Sequence, residues 1–214
     1  MSTAPEIDAG EAGQALDEED RARADLYGVL ARLWYAAPDQ ALLDALASNG
    51  GAPDDGSETE LVKAWQALSR AAAGADPRAL THEYDDLFVG TGRAEITLYC
   101  SHYMTETGHE RLVVALRDQL RELGLQRSHE SHEPEDHLAA LLEVMRHLIV
   151  ERIVQRESGS QTGFQIDFFS GYIQQAYPSL TEAVLRSEGV DFYKHVARLT
   201  RAFLDVETQS FNMI

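Results

Sequence analysis

PEDHLAALLEVMRHLIVERIVQRE, residues 134–157, carries the strongest periodicity in the chain. Leu138, Leu141, Leu142, Met145, Leu148, Ile149 and Ile153 recur at helical steps, forming an apolar stripe along one face. Pro134 suits a first helical turn, and Glu135 and Asp136 fall at the positive end of the helix dipole. Outward from this segment the same period returns. On the N-terminal side, Leu26, Leu30, Leu33 and Trp34 predict a helix from Asp17, a plausible N-cap, to Pro38. Shorter helices are predicted over 39–47 and 58–73, the second closed by Gly74. Asp76-Pro77 opens another, with Leu80, Tyr84, Leu87 and Phe88 on one side. It breaks at VGTGR, 89–93, and the alternation Ile96, Leu98, Cys100 is too brief for a strand. A further helix is predicted over 106–123, ending at Gly124, and on the C-terminal side helices are predicted over 165–176, 178–187 and 190–206. No strand–helix–strand unit and no internal repeat occurs. The expectation is an all-α, single compact helical domain of about eight or nine helices over 17–207. A hinge is expected near 89–103, with a disordered acidic tail at 1–16 and a C-terminal tail at 208–214.

The 214 residues carry 18 basic and 36 acidic side chains, for a formal charge of −18. Only Lys63 and Lys194 are lysines. A field this negative repels nucleic acid and anionic membranes and attracts cationic partners, although acidity also serves solubility or a salty cytoplasm. Apolar residues make up 44% of the chain, enough for a core. The single cysteine, Cys100, excludes an internal disulfide and a cysteine-based zinc cluster within one chain. No apolar run reaches the roughly 20 residues of a membrane span. The first residues lack the charged and apolar regions of a secretory signal. These features together imply a soluble, cytoplasmic protein.

Two constellations can carry chemistry. In SHESHEPEDHL, 128–138, His129, His132, Glu133, Asp136 and His137 offer imidazoles and carboxylates. The helical zinc motif requires histidines at i and i+4, whereas His132 and His137 differ by five positions, about 140° around a helix. A loop histidine converging with His137 leaves a metal-dependent hydrolase using His132 and His137 as an alternative. Asp136 and His137 could also form a catalytic acid–base pair, but no nucleophile stands at a recognisable spacing, and Ser128 and Ser131 read as ordinary loop serines. His137, four residues before Leu141, leans toward the apolar stripe, and Asp136 can accept backbone N–H groups or meet an arriving cation. Together they suit recognition of a positively charged, partly apolar peptide.

The second constellation is EYDDLFVGTG, 83–92. Tyr84, Leu87 and Phe88 read as a packed helix end, and Gly90 and Gly92 as a structural turn able to meet an anion. The segment lacks the lysine and the Walker spacing of a nucleotide-binding loop. Tyr99 and Tyr103 add an apolar rim bearing hydroxyl groups. Cys100 reads as a small buried hydrophobe.

At these two motifs the chain resembles the TorD/DmsD/NarJ superfamily, the assembly chaperones of molybdenum-containing oxidoreductases. The matching pieces are ADLYGVLARLWYAAP at 24–38, LTHEYDDLFVGTGRAEITLYCSHYMTE at 80–106, EPEDHLAALLEVMRHL at 133–148 and AYPSLTEAVLRSEGVDFYKHVARLTRAFL at 176–204. Their order is the family's, over roughly 20–207. Departures at Gly90-Thr91-Gly92, at AEITLYCSHY and at Tyr177-Pro178 look more like the branch serving type II enzymes of the dimethyl sulfoxide reductase family. The resemblance implies a non-catalytic, cofactor-free chaperone that binds an immature catalytic subunit through a twin-arginine leader or an adjacent segment. It would assist insertion of the molybdopterin cofactor and delay export. By family correspondence the client-binding residues are Glu133, Pro134, Asp136 and His137. Glu83, Tyr84, Leu87, Phe88, Tyr99 and Tyr103 would line the neighbouring groove, with Gly90 and Gly92 shaping its loop. Monomer and domain-swapped dimer are both compatible with the family. A helical adaptor for a mature partner is the alternative from another class.

Overall fold

The computed structural model describes residues 9–49, 59–90, 94–104, 109–125, 134–155 and 160–213. Among them are nine α-helices: α1 Ala9–Tyr35, α2 Gln40–Ser48, α3 Glu60–Ala73, α4 Pro77–Tyr84, α5 His109–Glu122, α6 Leu138–Gln155, α7 Ser160–Phe168, α8 Tyr177–Arg186 and α9 Phe192–Phe211. π-helical turns, Asp85–Val89 and Phe169–Ile173, extend α4 and α7, and a 3₁₀ turn covers Cys100–Tyr103. The sole β feature among the described residues is an isolated antiparallel bridge between Tyr99 and His137.

Local chemistry sets most boundaries. Asp39 accepts the Leu42 N–H at 2.9 Å and Thr59 accepts that of Val62 at 3.3 Å, capping α2 and α3. Asp76 caps α4 ahead of Pro77, which needs no N–H there. Gly124 takes φ 70°, letting Leu125 donate to the Leu120 carbonyl at 2.8 Å and close α5.

Three expected boundaries are corrected. Helix α1 begins at Ala9, so 9–16, expected in the tail, is helical and Asp17 is no N-cap. Helix α9 continues to Phe211, into the span expected as a C-terminal tail. Pro134 does not open α6, which starts at Leu138 because 134–137 is bonded to another part of the chain.

Helices α1 and α6 share the most extensive interface, while α9 packs on α3 and α8. Tyr27, Leu30, Leu33 and Trp34 of α1 meet a core that includes Leu138, Leu141, Leu142, Met145, Leu148 and Ile149 of α6. The N-terminal and C-terminal helices therefore build one core. Inside it lies a charged cluster. Arg23 of α1 places Nε 2.8 Å and one Nη 2.7 Å from the two oxygens of Glu207, on α9. Tyr27 donates to Glu207 at 2.8 Å, Asp20 and Gln165 complete the shell, and the guanidinium lies over Phe211.

At the α3–α9 interface the His195 Nδ1 is buried without a hydrogen-bond partner among the described residues. Burial first, then the like charges of Arg198 and Arg70, outweigh Asp191 and Glu83 and hold its pKa below the ordinary 6.5. The unfolded chain thus binds this proton more readily. Its contribution to stability is present above about pH 6.5 and is lost as pH falls toward the depressed value. The denaturation midpoint is expected to decline between about pH 7 and pH 5, and His195→Gln to flatten that decline. An unchanged slope in the variant would remove His195 as its source.

Candidate functional site

Two chain segments far apart in sequence are joined by backbone hydrogen bonds. Cys100 N–H donates to the Asp136 carbonyl at 2.9 Å, and Leu138 N–H donates to that of Leu98 at 2.8 Å. Tyr99 and His137 face each other between these bonds, their rings edge-on at 5.8 Å. Asp136 is 3% exposed, and its carboxylate accepts the Ser101 hydroxyl at 2.5 Å. His137 is the N-cap of α6: its carbonyl accepts from Leu141, and its Nδ1 accepts the Ala139 N–H at 3.2 Å. Asp136 therefore shapes the loop from inside rather than presenting a carboxylate to solvent.

His137 forms a wall common to two cavities. One, of about 320 Å³, lies between α1 and α6, where Gly28, Ala31, Ala139 and Ala140 leave room and Tyr35, Arg32 and Glu143 stand around it. The other, of about 290 Å³, is bounded by Tyr84, Phe88, Val89, Leu98 and Tyr99. Three of the large exposed apolar side chains, Tyr35 (53%), Val89 (57%) and Tyr99 (37%), belong to these two linings. Exposed Asp85 and Asp86 on the adjoining π-turn add negative charge nearby, whereas exposed Glu143 is ion-paired with Arg146. Such a surface can hold apolar side chains while acids meet flanking cations.

Several expected site residues are committed to the fold. The Glu83 carboxylate accepts the Tyr193 N–H at 2.8 Å, satisfying a free donor at the start of α9. Tyr84 donates to the carbonyls of Tyr35, at 2.8 Å, and Trp34, at the end of α1. Leu87 is buried, and its carbonyl accepts the Ile96 N–H at 2.9 Å. Phe88 lines the second cavity while packing on Trp34, Tyr84 and Tyr193 with centroids 5.1–5.7 Å apart. Tyr103 turns its hydroxyl to the Thr97 carbonyl at 2.9 Å; burial, then Cys100, push its pKa up to about 12. Pro134 accepts the His137 N–H through its carbonyl. Gly90, at φ 64° and ψ 164°, ends the π-turn in a conformation that favours glycine. Gly92, Glu133 and His132 lie outside the described residues.

Cys100 is buried, and burial followed by the Asp136 charge pushes its thiol far above the ordinary range, opposite to nucleophile activation. Among the described residues no group of three or more His, Cys, Asp or Glu side chains is arranged for a metal ion. No described helix is long and apolar enough to cross a membrane.

The α1 half of the groove was missed from sequence. Its signal was small residues, Gly28 and Ala31, at helical spacing before Tyr35, opposite Ala139 and Ala140; nothing in either segment alone says that they meet. Glu135 was also read only as dipole charge, whereas it takes a bidentate hydrogen bond from Arg117.

Comparison with known proteins bears on this geometry. Residues 54–182 match the family model of the nitrate reductase delta subunit. The chain is 28% identical to the chaperone protein TorD of Vibrio cholerae serotype O1, across 73% of each chain. It is 26% identical to TorD of Colwellia psychrerythraea across 93% of this chain and 95% of that one. TorD of Vibrio parahaemolyticus is 25% identical across 60% and 62%, respectively.

Proposed function

This chain belongs to the nitrate reductase delta subunit family, within the TorD/NarJ superfamily of molybdoenzyme assembly chaperones, and we propose that its groove around His137 binds the immature catalytic subunit of a molybdopterin oxidoreductase. The family works by binding, not by catalysis. The client segment is a twin-arginine leader or the sequence beside it. The protein acts in the cytoplasm, holding the subunit open to cofactor insertion and delaying export. The type II branch of the dimethyl sulfoxide reductase family is the proposed client group.

One observation carries this reading: His137 stands between a largely apolar cavity and a more polar one edged by Tyr84, Phe88 and Tyr99, beside exposed acids, on a chain of charge −18. An apolar peptide with neighbouring guanidinium groups matches both features. Each apolar anchor gains by leaving water, at about 25 cal/mol per Å² buried. Arginines contribute charge-assisted hydrogen bonds and faster encounter.

The test is co-expression of the tagged chain with the oxidoreductase catalytic subunit encoded in the same organism. Capture of the cofactor-free precursor in preference to the mature enzyme is expected. Tyr99→Ala and His137→Ala should each weaken precursor binding about tenfold, near 1.4 kcal/mol, with the helical signal retained. Tyr99 is the cleaner probe, because His137→Ala also removes a helix cap. Association should slow as added salt shortens the Debye length from about 10 Å toward 3 Å. Equal capture of the mature enzyme would favour an adaptor, and unchanged affinity in both variants would move the site elsewhere.

A further inference from the structure

We propose that Arg117, on α5, is a positioning residue for the recognition loop 134–137, latching it against residues 98–101. The inference rests on the reading of that loop and groove given above. Arg117 Nε donates to Glu135 Oε1 at 3.0 Å, and its Nη2 donates to Oε2 at 3.1 Å. Both carboxylate oxygens are engaged by one planar fork, a geometry a lysine cannot reproduce. The Glu135 side chain is only 12% exposed, whereas that of Arg117 is 45% exposed. The pair therefore reaches down onto the loop.

The neighbouring contacts give this pair its leverage. Leu116, fully buried, anchors the turn of α5 that delivers the guanidinium. Asp118, the acid next to Arg117, is engaged by Arg121. Along the loop, Glu135 is held by α5, Asp136 by Ser101 of the 3₁₀ turn, and His137 by the first turn of α6. Three consecutive side chains thus tie one short loop to three elements. Only the first tie is an ion pair at the surface, so it is the one that salt and substitution can release without emptying the core.

The protein alone tests the latch by hydrogen exchange at the Leu138 and Cys100 amides, the two that bridge the segments. Arg117→Ala should speed their exchange about tenfold, with α8 and α9 amides unmoved. Arg117→Lys should recover only part of the protection, and the charge swap R117E/E135R most of it. Unchanged exchange in Arg117→Ala would overturn the proposal, as would failure of the swap to restore protection. The recognition half is read with a synthetic peptide carrying an Arg-Arg pair before a leucine-rich stretch. Affinity should fall about tenfold in Arg117→Ala and return in the swap. A rise in affinity would overturn positioning and make Glu135 the receptor for an incoming guanidinium, with Arg117 its internal competitor. Loss of amide protection without a change in peptide affinity would leave the latch standing and overturn its role in recognition. A wild-type chain that ignores the peptide would count against leader recognition, while the exchange result would still judge the latch.

Discussion

Replacing Glu207 with Ala is expected to destabilise the folded chain by about 3–5 kcal/mol and to lower its melting temperature by roughly 10 °C. The size of the effect comes from what remains, not from the intrinsic strength of one ion pair. Glu207 is 2% exposed and receives two hydrogen bonds from Arg23 and one from the buried Tyr27 hydroxyl. Burial works against the Arg23 charge, yet the Glu207 carboxylate overcomes it and raises the arginine's pKa. Burial, then Glu207, likewise pushes the Tyr27 hydroxyl well above its ordinary range, so that it stays a donor. Removing the carboxylate leaves a guanidinium and a phenol buried with too few acceptors. Asp20 and Gln165 can answer only part of that demand. Thermal and urea denaturation of Glu207→Ala measure the loss. The pair replacement R23M/E207L removes the stranded guanidinium as well, so that only Tyr27 and Asp20 lose a partner, and should cost less. A single variant as mild as the pair would show that the cluster is not under the electrostatic demand described.

Trp34→Ala should cost a comparable 3–5 kcal/mol, by a different route. The indole is fully buried, donates to Thr200 Oγ1 at 2.9 Å, and packs edge-on to Phe88 at 5.7 Å. Tyr193 closes the cluster at 6.2 Å from Trp34 and donates to the Leu33 carbonyl. Truncation to Ala opens a cavity beneath Phe88, which lines the second groove cavity. Stability and recognition should therefore fall together in this variant, unlike Tyr99→Ala, where binding falls alone. Trp34→Phe should restore most of the packing and lose mainly the hydrogen bond to Thr200, about 1 kcal/mol. Denaturant midpoints and precursor capture on the same preparations distinguish these effects. A Trp34→Ala protein with native stability would mean that its neighbours collapse into the space.

How far the primary structure alone could lead is clearest at particular residues. The apolar periodicity of α6 places Leu138, Leu141, Leu142, Met145, Leu148 and Ile149 in the core as expected, because burial of one helical face is written in local spacing. Caps at Asp39, Thr59 and Asp76 sit where short polar side chains can accept free N–H groups. Glu83 went unread as a cap because the N–H it satisfies, that of Tyr193, belongs to a helix distant in the chain. For the same reason Pro134 misled. Its preference for a first helical turn yielded to the pairing of Leu98 and Cys100 with 136–138, which moved the start of α6 to Leu138.

Helical character, the apolar faces and the excess of negative charge were determined by the sequence itself, since they follow from composition and from neighbours within a few turns. Tertiary structure alone decided that α1 would lie along α6, that Asp136 would turn inward to Ser101, and that His137 would stand between two cavities. Those outcomes depend on which surfaces exclude water against one another, and that free energy belongs to contacts between distant segments.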